Sequence, residues 1–209
     1  MNEYKSVSKE ASSEIIEKKS RFICSVKPVN SEKEAVDFVK EIRDKYKDAT
    51  HNVFAYVVMA KIEIQKASDD GEPQGTAGIP VLEVIKREGL KNICVVVTRY
   101  FGGTLLGAGG LIRAYSSSAK AGIDKALICT KALYSRLSVK IDYAQLGRVK
   151  NAIEKLKNKI VSLEYREFVV ICIDVRYDNI DTTIKKLTDI TNGQAKIKNL
   201  KRFYGISQY

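Results

Sequence analysis

Hydrophobic and polar positions along the chain fall into short blocks whose period switches repeatedly between two and about 3.6, the rhythms of strand and helix. Residues 14–29 (EIIEKKSRFICSVKPV) alternate as two strands around a polar turn at Lys18-Lys19-Ser20. Ser31, followed three residues later by Glu34, is a capping box, and Ala35, Phe38, Val39 and Ile42 then recur at helical spacing, with charged residues on the other face as far as Lys47. Residues 52–59 and 61–67 return to strand character and predict a hairpin. Gly78-Ile79-Pro80 opens a helix that Gly89 closes. Residues 93–98 (ICVVVT) form a wholly apolar, β-branched run, which predicts a strand buried on both faces. A glycine cluster and a helix over 111–127 follow.

From residue 130 the rhythm restarts: strand 132–141, helix 144–158, strands 160–168 and 169–177, helix 180–192, strand 195–204. This β-α-β-β-α-β order is that of the ferredoxin-like split unit. The reading is therefore an α+β chain of two domains, 1–129 and 130–209. Its 209 residues suit two cores of ordinary size.

Charge supports the same division. The net charge is +11, but residues 1–129 carry 20 Lys and Arg against 17 Asp and Glu, whereas residues 130–209 carry 16 against 8. A basic C-terminal half suits a polyanionic partner, since Lys and Arg release the counterions condensed on phosphates. A lysine-rich solvated surface is the plainer alternative. No apolar stretch reaches membrane-spanning length and the N-terminus has no signal-peptide core, so a cytoplasmic protein without membrane contact is expected. Cys24, Cys94, Cys129 and Cys172 are far apart, without a CxxC pair, and His51 is the single histidine. No metal site and no cofactor are expected, and the cysteines read as buried small hydrophobes.

Ser68-Asp69-Asp70-Gly71-Glu72-Pro73-Gln74-Gly75-Thr76-Ala77-Gly78, then Val97-Thr98-Arg99-Tyr100-Phe101-Gly102-Gly103 and Gly107-Ala108-Gly109-Gly110-Leu111-Ile112-Arg113-Ala114-Tyr115, resemble the signature of the Impact/YigZ family. Lys19-Ser20-Arg21-Phe22 and His51-Asn52-Val53-Phe54-Ala55-Tyr56 add shorter matches. The resemblance implies an N-terminal β-α domain like the second domain of a small-subunit ribosomal protein. It also implies a C-terminal domain similar to the last domain of elongation factor G. Eukaryotic members carry an additional N-terminal interaction domain and regulate translation through an activator of a stress kinase. This sequence opens directly on the shared domain, so that role is not simply carried over. Some members place lysine where this chain has Leu105, which removes one phosphate contact here.

Three groups of residues could carry chemistry. Gly102, Gly103, Gly107, Gly109 and Gly110, between a buried strand and a helix and flanked by Arg99 and Arg113, could cradle a phosphate or carboxylate; a tight turn that lets helix and sheet approach is the structural alternative. Asp69, Asp70 and Glu72 could act as acid and base or bind magnesium, with His51 a further catalytic candidate. They equally suit a turn ahead of a helix or pairing with the arginines. In the second domain Lys150, Lys155, Lys157, Lys159, Lys196, Lys198, Lys201 and Arg202 are interleaved with Tyr143, Tyr165, Tyr177, Phe203 and Tyr204, a mixture that suits single-stranded RNA. The expected function is a non-catalytic binding protein for RNA, the ribosome or a translation factor. The alternative is an enzyme for a small phosphorylated or carboxylated substrate.

Overall fold

The structure is a computed structural model that describes residues 2–60 and 62–207. Lys61, at the start of the strand expected over 61–67, lies outside the described residues. The chain divides into two compact units. One comprises Tyr4–Thr130; the other comprises Lys131–Tyr209 together with Met1–Glu3. Both are α+β with antiparallel sheets. Strand β1 (Glu3–Val7) was not anticipated; its EYKSV sequence is too short for a periodicity to stand out.

In the first unit, β2 (Ala11–Glu17), β3 (Ser20–Pro28), β4 (His51–Val58), β5 (Ile64–Ser68) and β6 (Ile93–Tyr100) form a sheet of order β2-β3-β6-β4-β5. Helix α1 (Glu32–Lys45) covers one face, while α2 (Gly78–Arg87) and α3 (Ala108–Lys125) cover the other. The central strand β6 explains its own sequence: Ile93, Val95 and Val97 enter the α2/α3 core, and Cys94 and Val96 enter the α1 core. Lys18 and Lys19 turn the β2–β3 hairpin with φ of 45° and 69°. Ser31 Oγ accepts from the Glu34 N–H at 3.2 Å, as expected, but the return bond from Glu34 reaches Asn30 N–H at 2.8 Å instead of the cap residue itself. Gly89 closes α2 at φ 69°.

The glycine cluster needs one correction. Helix α3 starts at Ala108, so Gly109 and Gly110 belong to its first turn, and the connecting loop is shorter than the sequence implied.

In the second unit, β7 (Ile128–Ile141, which enters it at Lys131), α4 (Leu146–Lys155), β8 (Lys159–Tyr165), β9 (Val169–Arg176), α5 (Ile180–Ile190) and β10 (Lys196–Ile206) follow in the expected order. Their sheet order is β10-β7-β9-β8, antiparallel throughout. Leu137, Val139, Ile171, Ile173 and Val175 pack with Val149, Ile153 and Leu187 of the helices. That burial leaves the alternate residues of each strand on the opposite sheet face. Cys24 and Cys94 are buried, whereas Cys129 and Cys172 are only partly so.

Candidate functional site

The acidic turn after β5 separates three carboxylates that are adjacent in sequence. Asp69 Oδ1 accepts from the Ala77 and Gly78 N–H groups at 3.1 and 2.8 Å, and its Oδ2 from Gly75 at 2.8 Å. It is the cap of α2, supplied from nine residues upstream of Gly78. Burial alone would raise its pKa, but these three backbone donors outweigh it and hold the carboxyl below its ordinary value. Asp70 accepts from Asn52 N–H at 2.7 Å and from Arg43 at 2.5 Å, tying the turn to β4 and α1. These bonds occupy both Asp69 and Asp70 structurally.

Glu72 turns the other way. Asp70 and Gly71 take φ of 44° and 89°, and this reversal swings the Glu72 side chain into the unit, where it is 3% exposed. Its Oε1 accepts from Arg99 Nη1 at 2.6 Å and from the Tyr115 hydroxyl at 2.7 Å. Burial first, and then the bond to Glu72, push the Tyr115 phenol well above its ordinary pKa, so it remains a donor. Arg99 is itself buried, its guanidinium lying over the rings of Phe22 and Phe101 at 5.4 and 5.6 Å. Arg99 Nη2 also donates to Ser20 Oγ at 3.3 Å.

His51 stands opposite Arg99 in the β4–β6 register. Its Nδ1 lies 2.8 Å from the carbonyl of Asp70, which can only accept, so Nδ1 carries a proton. In the neutral ring Nε2 is therefore bare, 3.9 Å from Glu72 Oε1. Gly71, at φ 89°, lies against the imidazole, where a Cβ would be in ordinary contact with Nδ1 at 3.4 Å. His51, Glu72 and Arg99 line a cleft of about 420 Å³ whose other walls include Thr50, Phe101, Leu105, Leu106, Gly107 and Leu111. Gly107, at φ 74°, is the N-cap of α3 and offers no side-chain bond to the first turn.

The remaining glycine-cluster residues do not share one position. Gly102 packs directly on the β2–β3 turn, since a Cβ would sit 2.0 Å from the Lys19 carbonyl carbon. Gly103, at φ 79°, has open space around it. Arg113 and Gly110 line a separate hollow with Ile15, Glu17 and Lys18. Tyr115 and Ser20, not singled out in the sequence, complete the network around Arg99. Among the described residues no cluster of His, Cys, Asp and Glu is arranged to hold a metal ion.

The basic residues of the second unit divide between two faces. Register places Lys196, Lys198, Lys201 and Phe203 of β10 beside Lys140, Ser138, Arg136 and Tyr134 of β7. Across β9, Lys159 joins the same face opposite Asp174. This is the sheet face that carries no helix. Tyr134 and Phe203 stack there at 5.9 Å, Arg136 lies over Phe203 at 5.4 Å, and Lys140 lies over Phe168 at 3.2 Å. Arg136 is held by both oxygens of Asp174, at 2.7 and 2.9 Å. A hollow of about 280 Å³ is lined by Tyr134, Lys159, Asp174, Phe203 and Gly205. Arg202 faces the helix side, over Tyr177, and Lys150 and Lys155 ride on α4. Lys157 sits in the turn after α4 at φ 55°. Tyr134, Arg136 and Lys140 were missed in the sequence, although their alternation with Leu137 and Val139 marks them as outward-facing.

Fold and site together define the class as an α+β protein of two antiparallel units, with a largely apolar cleft that is polar at one end in the first and a basic, aromatic sheet face in the second. Residues 18–123 match the Impact N-terminal domain family and residues 139–194 match a domain of unknown function, DUF1949. The chain is 40% identical to "IMPACT family member YvyE" of Bacillus subtilis, over 95% of this chain and 91% of that protein. It is 32% identical to "IMPACT family member YigZ" of Escherichia coli, over 86% and 89% respectively. A crystal structure described as that of a hypothetical protein superposes with a TM-score of 0.63 at 28% identity, covering 96% of this chain and 98% of that one. This chain belongs to the IMPACT family. No described helix is long and apolar enough to cross a membrane.

Proposed function

We propose that the chain is a cytoplasmic, non-catalytic binding protein whose C-terminal sheet engages single-stranded RNA, alone or on the ribosome, in the service of translation. The helix-free face of the second unit carries this reading. It gathers Lys140, Lys159, Lys196, Lys198, Lys201 and Arg136 on one face with the Tyr134–Phe203 stack, to which β8 and β9 add the acidic residues Glu164 and Asp174. Lysines along a strand track a phosphate backbone, and the half-buried Tyr134 and Phe203 rings supply an aromatic surface for unstacked bases of any sequence. The strand order β10-β7-β9-β8 is that of the ferredoxin-like unit and supports likeness to the last domain of elongation factor G; the first unit is read as like the second domain of a small-subunit ribosomal protein. Both likenesses support the same setting.

Binding of the full chain to single-stranded RNA and to ribosomes, titrated at two salt concentrations, tests this. The logarithm of the affinity should fall with the logarithm of salt with a slope of about −0.7 for each phosphate neutralised. Absence of salt-dependent binding near physiological ionic strength would refute the reading.

A further inference from the structure

We infer that the cleft of the first unit is a second, independent binding site, for a small molecule that bears one phosphate or carboxylate group on an apolar body. Its walls divide accordingly. Phe101, Leu105, Leu106 and Leu111 supply the apolar surface, and the polar groups converge at one end. Leu105 is 83% exposed and Phe101 47%, so this apolar rim stands in solvent without a covering element.

The polar end favours an anion through a helix terminus, through one unpartnered donor of Arg99, and through the neutralisation of Glu72 by that same arginine. The first turn of the 18-residue helix α3 opens on the cleft at Gly107 and Ala108 with no side-chain cap, leaving backbone N–H groups for a ligand. Arg99 lines the same cleft and is 5% exposed, and its Nε–H has no hydrogen-bond partner among the described residues. Lastly, the one carboxylate in the wall, Glu72, is already compensated by Arg99 and the Tyr115 hydroxyl, so it does not leave the cleft negatively charged. The His51 ring, fixed by its Nδ1 bond to Asp70, stands at this end with Nε2 3.9 Å from Glu72 Oε1, so a ligand bound there alters its surroundings.

The single histidine makes the test direct, because the His51 ring gives one set of imidazole resonances in the full chain. Phenyl phosphate and phenylacetate, added separately, serve as the phosphate and carboxylate probes, with benzyl alcohol as the uncharged control. Saturable movement of the His51 resonances with either anion, and none with benzyl alcohol, is the expected result; which anion binds more tightly assigns the head group. Ala108→Asp places a carboxylate in the helix's first turn, where it suits the dipole and preserves folding, but should weaken anion binding at least tenfold. Leu105→Ala, at an exposed position, should weaken the aromatic probes while leaving the fold intact. Lys198→Glu, in the other unit, should change neither. The inference is overturned if neither anion moves His51, if benzyl alcohol moves it equally, or if Ala108→Asp binds as the parent does.

Discussion

Arg99 Nη1 donates to Glu72 Oε1 at 2.6 Å in a site where both side chains are almost fully buried, 6% and 3% exposed. The pair links the acidic turn to the strand before the glycine cluster, two segments that the sequence presents as separate motifs. Because both charges are desolvated, neither partner is dispensable alone. Arg99→Met should lose about 3–5 kcal/mol of unfolding free energy, since it strands a buried carboxylate. The double variant Arg99→Met/Glu72→Gln should recover part of that loss. Urea unfolding of the two single variants and the double variant gives the coupling; additive losses would show that the pair does not act as a unit.

Asp69 should govern part of the acid limb of stability. Its folded pKa is depressed, so its contribution is present above the ordinary carboxyl value near 3.8 and is lost as pH falls through the lower folded value. At neutral pH Asp69→Asn should cost about 1–3 kcal/mol, because an amide presents only one acceptor oxygen to three N–H donors. The difference between parent and variant should shrink below about pH 4. A constant difference from pH 7 to pH 2 would contradict this role.

Two glycines of one cluster should respond in opposite directions. Gly102→Ala drives a methyl group into the backbone at Lys19 and Ser20, with contacts of 2.0 to 2.4 Å, and should destabilise by about 1–3 kcal/mol. Gly109→Ala meets only the end of Arg113 at 3.6 Å, in a helical turn, and should be neutral or stabilise by up to about 1 kcal/mol. Thermal unfolding of the pair distinguishes a packing glycine from a permissive one.

On the C-terminal sheet, Phe203→Ala should remove the stacking partner of Tyr134 and weaken single-stranded RNA by about 1–3 kcal/mol with little change in salt slope. Lys201→Ala should instead reduce the salt slope by about 0.7. Arg202→Ala, on the helix side, should leave both nearly unchanged. Equal effects of Lys201 and Arg202 would mean that the helix-free face is not the contact surface.

That contrast shows where sequence reasoning stops. Strict alternation along β10 would set Arg202 on the same face as Lys196 and Lys198 and exclude Lys201. The structure reverses this, because a bulge between Asn199 and Lys201 shifts the register by one residue, and a one-residue shift exchanges faces. No local property of Lys-Asn-Leu-Lys announces the bulge. Similarly, Asp69, Asp70 and Glu72 are one acidic cluster in sequence, yet the positive φ angles of Asp70 and Gly71 send their carboxylates to a helix cap, a strand tie and a buried ion pair.

The sequence by itself determined the elements apart from β1, the order of the second unit, the two-faced burial of β6 and membership of the family, because hydrophobic periodicity and turn chemistry are local and repeat along the chain. Only the tertiary structure decided which of the marked residues meet. It brought His51, Glu72 and Arg99 to one cleft from three separate segments, with Tyr115 buried against Glu72, and divided the basic residues between the helix-free sheet face and the helix side. Those outcomes rest on long-range strand register and on burial, where one residue of shift or one reversed turn changes every neighbour a side chain has.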